Sequence, residues 1–225
     1  MRLIRVATFA CVMLFVLAAA DENKPIRLLE VGEWHGEELT VGQSPNWYGL
    51  AHAGNGFAWH RYTPSFPAVE DPVIDEPGEK TGKAVVVRGQ KPVFLVQGDT
   101  PFTSTRVLTS FYRADGLQLA YEPLGLLKLR NKSYRLRLDY VRRQTTDLAQ
   151  PSALLLERAG TKQVLYQWPA GFSDEHCELI WAGDLDGDGK LDLYMYLGEH
   201  YNVTVRTLFL SSAARLNELV GRVAV

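Results

Sequence analysis

Residues 134–140, YRLRLDY, alternate strictly: Tyr134, Leu136, Leu138 and Tyr140 fall on one side, Arg135, Arg137 and Asp139 on the other. A strand repeats every two residues and a helix every 3.6, so this pattern gives a strand one apolar face and one wet face. Short apolar runs bounded by turn residues recur along the chain, with no long stretch of helical period. The expected fold class is all-β, an antiparallel β-sandwich or a partly closed barrel of two packed sheets.

Several hairpins are legible. LLKLR (126–130) pairs with 134–140 across Asn131-Lys132-Ser133, and Trp47–Tyr62 forms a second hairpin in which Asn55-Gly56 supplies positive φ. KAVVVRGQKPVFLVQG (83–98) and ALLLERAGTKQVLYQW (153–168) repeat the scheme, and ELIWAG (178–183), LDLYMYLG (191–198) and NVTVRTLFLSS (202–212) continue it. Only Ala213–Val225 reads as a short helix, behind a Ser211 or Ser212 cap. Pro64–Gly82 holds four prolines and five acids, which strands do not tolerate. It is a long surface loop or a linker subdividing residues 21–225, and the loop is preferred because the segment before it is too thin for a core of its own.

At the N-terminus, Arg2 and Arg5 precede a charge-free apolar run, Val6–Ala20, that ends in three alanines before Asp21. This is the pattern of a secretory signal peptide over residues 1–20, too short to span a membrane at roughly 20 residues per span. Cys11 lies mid-run without a lipobox leucine before it, so lipid attachment is rejected. The expectation is an exported protein, periplasmic or extracellular, with no membrane span after signal removal. Cys177 is then the only cysteine, so no intramolecular disulfide can form. Losing Arg2 and Arg5 takes Lys+Arg from 24 to 22 against 26 Asp+Glu, a formal charge of −4. Such mild acidity excludes generic nucleic-acid binding, which needs a basic footprint.

The densest chemistry is WAGDLDGDGKLDLYMYLG (181–198), with Asp184, Asp186, Asp188 and Asp192 inside nine residues. Hard cations such as calcium take six to eight oxygens, and a tight loop delivers alternate carboxylates to one centre. Asp184, Asp186, Asp188 and Asp192, with the Lys190 carbonyl, are the expected ligands, and Gly187 and Gly189 permit the turn. The alternative is a solvated acidic turn without an ion. It would be strained, because carboxylates at such spacing repel by several tenths to about 1 kcal/mol per pair. Calcium is favoured over magnesium by the carboxylate-rich cage, and over zinc by the absence of His or Cys in the loop.

The DxDxDGxxD pattern resembles the calcium loops of FG-GAP/VCBS repeats and, more distantly, of EF-hand and dockerin loops. The flanks read as strands, and Met195 stands where an EF-hand has its bidentate Glu. The FG-GAP/VCBS likeness therefore implies a calcium loop between two strands. Only one copy is present, so the resemblance carries a site and neither a fold nor an activity.

Other groups are weaker candidates. Tyr194 and Tyr196 share a strand face and suggest an aromatic platform for a sugar; Trp34-His35 and Trp59-His60 join aromatics to titratable groups, as carbohydrate sites do. Each also reads as ordinary β-core. His52 and His60 flank a hairpin turn and are expected to approach each other, without a visible third metal ligand. His176 and Cys177, after Ser173-Asp174-Glu175, point to opposite faces of extended chain and make no dyad. Lys128, Arg130, Lys132, Arg135, Arg137, Arg142 and Arg143 form a basic cluster that reads as the solvated side of a hairpin or as a patch for anionic glycans or lipid headgroups. Asn131 and Asn202 open glycosylation sequons, relevant only to a eukaryotic secretory pathway. The expectation is a calcium-stabilised envelope protein, more a non-enzymatic module binding a glycan or another protein than an enzyme. A calcium-dependent polysaccharide hydrolase or lyase and a structural component of an envelope assembly are the alternatives.

Overall fold

The computed structural model describes residues 26–39, 46–98, 102, 104–122, 124–142, 149–168, 176–198 and 203–224. The expected leader, Arg143, Ser173-Asp174-Glu175, Glu199, His200 and Asn202 lie outside them. Strands β1 (Arg27–Leu29) and β2 (Gly32–Trp34) precede a hairpin of β3 (Trp47–Ala53) and β4 (Gly56–Tyr62). Then come β5 (Ala68–Val69), β6 (Gly82–Val85), β7 (Phe94–Gln97), β8 (Leu108–Gln118), β9 (Leu127–Leu129), β10 (Lys132–Arg142), β11 (Ala149–Arg158) and β12 (Thr161–Gln167). The last part holds β13 (His176–Asp184), β14 (Asp192–Gly198), β15 (Val205–Leu210), a 3-10 turn at Ser211–Ala213 and β16 (Gly221–Ala224). Among the described residues the protein is all-β, with antiparallel pairing and no closed barrel.

The architecture is a sandwich with an extra layer. The sheet β16-β15-β14-β13-β8 is covered on one face by β12-β11-β10-β9 and on the other by β1-β7-β3-β4. Alternation within β14 explains this. Leu193, Met195 and Leu197 join Leu136, Leu138, Leu154 and Leu156 in one core, while Tyr194 joins Leu50, Trp59, Phe94 and Val96 in the other. A bulge at Ile180 turns both Ile180 and Trp181 toward this second core. Sheets covered on both sides show nearly continuous apolar runs, as LIWAG and LDLYMYLG do. A small sheet, β2-β6-β5, packs nearby around Trp47, Val85 and Leu95.

The structure revises several local expectations. The β3–β4 turn is Gly54-Asn55, with Ala53 opposite Gly56; positive φ falls on Gly54 alone, the type II′ arrangement rather than an Asn55-Gly56 pair. The β9–β10 turn is Arg130-Asn131, one residue earlier than read, with Arg130 at φ 53°. Tyr140 is exposed because a bulge between Asp139 and Tyr140 breaks the alternation. KAVVVRGQKPVFLVQG is no hairpin, since β6 and β7 join different sheets. The tail forms the 3-10 turn and β16 rather than a helix. Residues 64–82 are mostly exposed, yet β5 within them pairs with β6, and β3 and β7 pair across them.

Candidate metal centre

Strand β13 ends at Asp184, buried at 3 % exposure, and the chain turns through residues 185–191 before β14 starts at Asp192. Both Asp184 oxygens organise this turn: Oδ1 accepts the Gly187 N–H at 2.8 Å and Oδ2 the Gly189 N–H at 3.0 Å. Gly187 and Gly189 sit at φ 83° and 75°, a region that costs a side-chain-bearing residue strain. Asp186 Oδ1 accepts the Asp188 N–H (3.2 Å), and Asp188 Oδ1 accepts the Lys190 N–H (2.8 Å). These short carboxylate-to-backbone bonds fold the loop onto itself.

The result is a group of three. Asp184, Asp186 and Asp188 each offer an oxygen, all within 4.8 Å of one another, and together they can hold a metal ion. Asp186 Oδ2 is buried without a hydrogen-bond partner among the described residues, an orphaned acceptor that a cation would satisfy. Burial raises the Asp184 pKa above its ordinary value, against the pull of the Gly189 and Gly187 N–H groups, and the Asp186 and Asp188 charges add to the rise. An ion bound there reverses that balance.

Asp192 stands apart from this group. It is fully buried, its Oδ2 accepting the Leu185 N–H at 2.6 Å and its Oδ1 the Ser211 N–H at 2.7 Å and hydroxyl at 2.9 Å. Burial drives its pKa well above the ordinary range. Asp192 thus clasps the loop to the segment after β15. The Ser211 hydroxyl also reaches Asp188 Oδ1, at 3.0 Å. Lys190 places its ammonium 3.2 Å from Asp188 Oδ2.

Two members of the basic cluster turn out to serve this loop. Lys132 Nζ donates to the Gly189 carbonyl at 2.7 Å, and Arg130 Nη2 lies 3.9 Å from Asp184 Oδ2. Neither they nor Ser211 was readable as part of the loop, because their partners lie 57, 54 and 19 to 23 residues away along the chain. No family model, curated protein or solved structure matches the chain.

The other candidates are dispersed. Tyr194 is fully buried, so it presents no ring to a sugar; its hydroxyl and that of Tyr196 donate to Glu30 Oε1 at 2.6 and 2.5 Å. Tyr194 is therefore a buried anchor for Glu30 rather than part of an exposed platform, while Tyr196 is partly exposed. Trp59 is likewise core, 7 % exposed, with its indole N–H on the Leu185 carbonyl at 2.8 Å. His60 is exposed opposite Gly49, and His52 lies opposite Phe57, so the hairpin register does not pair the two histidines. Cys177 is buried and free, and burial pushes its thiol pKa far up. His176 lies instead against Glu178.

Trp34 and His35 do share a cleft. Its volume is about 390 Å³, and Glu33, Glu38, Glu70, Asp71, Thr204 and Arg206 help to line it. Asp71, 2 % exposed at its side chain, accepts a short hydrogen bond from His35 Nδ1. Arg206 stacks on the Trp34 ring, 4.1 Å from its centroid, and donates Nε to Glu30 Oε2 at 2.7 Å.

Proposed function

We propose that this is an exported β protein stabilised by one calcium ion, acting as a non-enzymatic module that binds a glycan or another envelope protein. The observation that carries the cation is the convergence of Asp184, Asp186 and Asp188 around the partnerless Asp186 Oδ2. Calcium is the ion of choice because an all-oxygen, carboxylate-rich cage held by backbone N–H groups suits a large hard cation. The likeness of the loop to FG-GAP/VCBS calcium loops supports the same choice, and the Lys190 carbonyl would complete the set. At free calcium about 100 times the dissociation constant, the folded state would gain roughly 2.7 kcal/mol.

Export rests on the leader pattern of residues 1–20. A non-enzymatic role is supported by the loop itself, whose carboxylates are engaged in holding backbone N–H groups and the Ser211 hydroxyl in place. No helix among the described residues is long and apolar enough to cross a membrane.

Calorimetric titration of the chain from Asp21 onward tests the reading, followed by a glycan panel in calcium. One calcium per chain, weaker magnesium and weakened binding in Asp186→Asn support it. Equal affinity for the two ions, or chain cleavage of a polysaccharide in the panel, would contradict it.

A further inference from the structure

The cleft beside Trp34 has an ordered distribution of charge. Two basic side chains on its lining are each held by a carboxylate: Arg206 by Glu30, whose side chain is 14 % exposed, and His35, itself about half exposed, by Asp71. Stacking on Trp34 holds the guanidinium plane, and because only Nε is engaged, both Nη groups carry no hydrogen bond to a described residue. Such a fork matches a carboxylate bidentately. His35 uses Nδ1 on Asp71, which leaves Nε2 for the cleft. The Asp71 carboxylate also raises the His35 pKa, favouring the imidazolium that donates from both nitrogens.

The rim has the opposite sign. Glu33 and Glu38 are exposed, Glu70 lines the same opening, and ionised carboxylates only accept hydrogen bonds. A plain anion would meet the fork but be repelled by the rim, and a plain cation the reverse. A ligand carrying both charges close together meets both. The volume of about 390 Å³ lies within the range of small-molecule sites.

We infer that this cleft binds a zwitterionic α-amino-acid group, its carboxylate on Arg206 and His35 and its ammonium on the rim carboxylates of Glu33 and Glu70. This goes beyond the module reading above and is independent of the cation loop, none of whose residues lines the cleft.

Titration calorimetry in the presence of chelator, so that the loop plays no part, tests it with alanine, lysine and glutamate beside N-acetylalanine, alanine methyl ester and glucuronic acid. The expected result is saturable binding of the free amino acids, weakened about tenfold or more when either charge is blocked. Arg206→Gln should abolish binding. Since that change also strips Glu30 of its charged partner, Glu70→Gln and His35→Gln carry the test if it fails to fold, each expected to weaken binding several-fold. The inference is overturned if no free amino acid binds, if N-acetylalanine or glucuronic acid binds as well as alanine, or if Glu70→Gln and His35→Gln both bind like the native chain.

Discussion

The buried indole N–H of Trp59 donates to the carbonyl of Leu185 at 2.8 Å, joining the β3–β4 hairpin to the acidic loop across 126 residues of sequence. Leu185 is itself fully buried, and its own N–H is held by Asp192. With Lys132 of β10 on the Gly189 carbonyl, the loop is fixed from both neighbouring layers. Trp59→Phe keeps an aromatic ring in the core but orphans a buried carbonyl, at a cost of about 1–3 kcal/mol. Urea unfolding in chelator should show that loss, and calcium should bind Trp59→Phe more weakly than the native chain.

Arg130 occupies the position of a competing cation, 3.9 Å from Asp184 Oδ2 and more than half exposed. Removing it lowers the positive potential that an incoming ion must meet. Arg130→Ala should tighten calcium binding by a few-fold, in keeping with the ~0.2–1 kcal/mol of exposed charge pairs. Repeating the titration at high salt should shrink the difference, because screening weakens an exposed charge more than a buried one.

How much of this was legible depended on the range of the interaction. The all-β class followed from local alternation in 134–140, and the placement of the loop between two strands followed from its apolar flanks. The extra layer was already written in 191–198, where Tyr194 and Tyr196 oppose Leu193, Met195 and Leu197; what a single strand could not reveal is that both faces would be covered. Tyr194 was misread as a platform because the partner that buries its hydroxyl, Glu30, lies 164 residues away. The same distance effect hid Arg130, Lys132 and Ser211 from the metal centre. The turns at Gly54-Asn55 and Arg130-Asn131 slipped by one residue because register is set by cross-strand packing, which local turn chemistry only biases.

The His35–Asp71 pair makes stability depend on pH in a defined window. The His35 pKa is raised above 6.5, first by its hydrogen bond to Asp71 and then by that residue's charge, so its contribution is full below 6.5 and fades as pH rises through the raised value. The Asp71 pKa is lowered below 3.8, chiefly by the same bond, so its contribution is present above 3.8 and fades as pH falls through the lowered value. The pair should therefore favour the folded state most between about pH 4 and 6.5. An NMR titration should place the His35 pKa above 6.5 and return it toward 6.5 in Asp71→Asn.

Cys177 is 1 % exposed, and burial disfavours its thiolate. Since the thiolate is the reactive form, an aromatic disulfide reagent should label the native protein only at the rate at which the chain opens. Labelling should become rapid in denaturant and should slow when calcium is added, because the cation stabilises the closed state.

The central claim is that Asp184, Asp186 and Asp188 hold a divalent ion that stabilises the fold. A thermal melt of the chain from Asp21 onward, in chelator and then with calcium or magnesium, tests it most directly beside Asp186→Asn and Asp188→Ala. The account predicts that calcium raises the native midpoint by several degrees, magnesium by less, and that both variants lose the response while still melting cooperatively. Identical midpoints for the native chain in chelator and in millimolar calcium would contradict it.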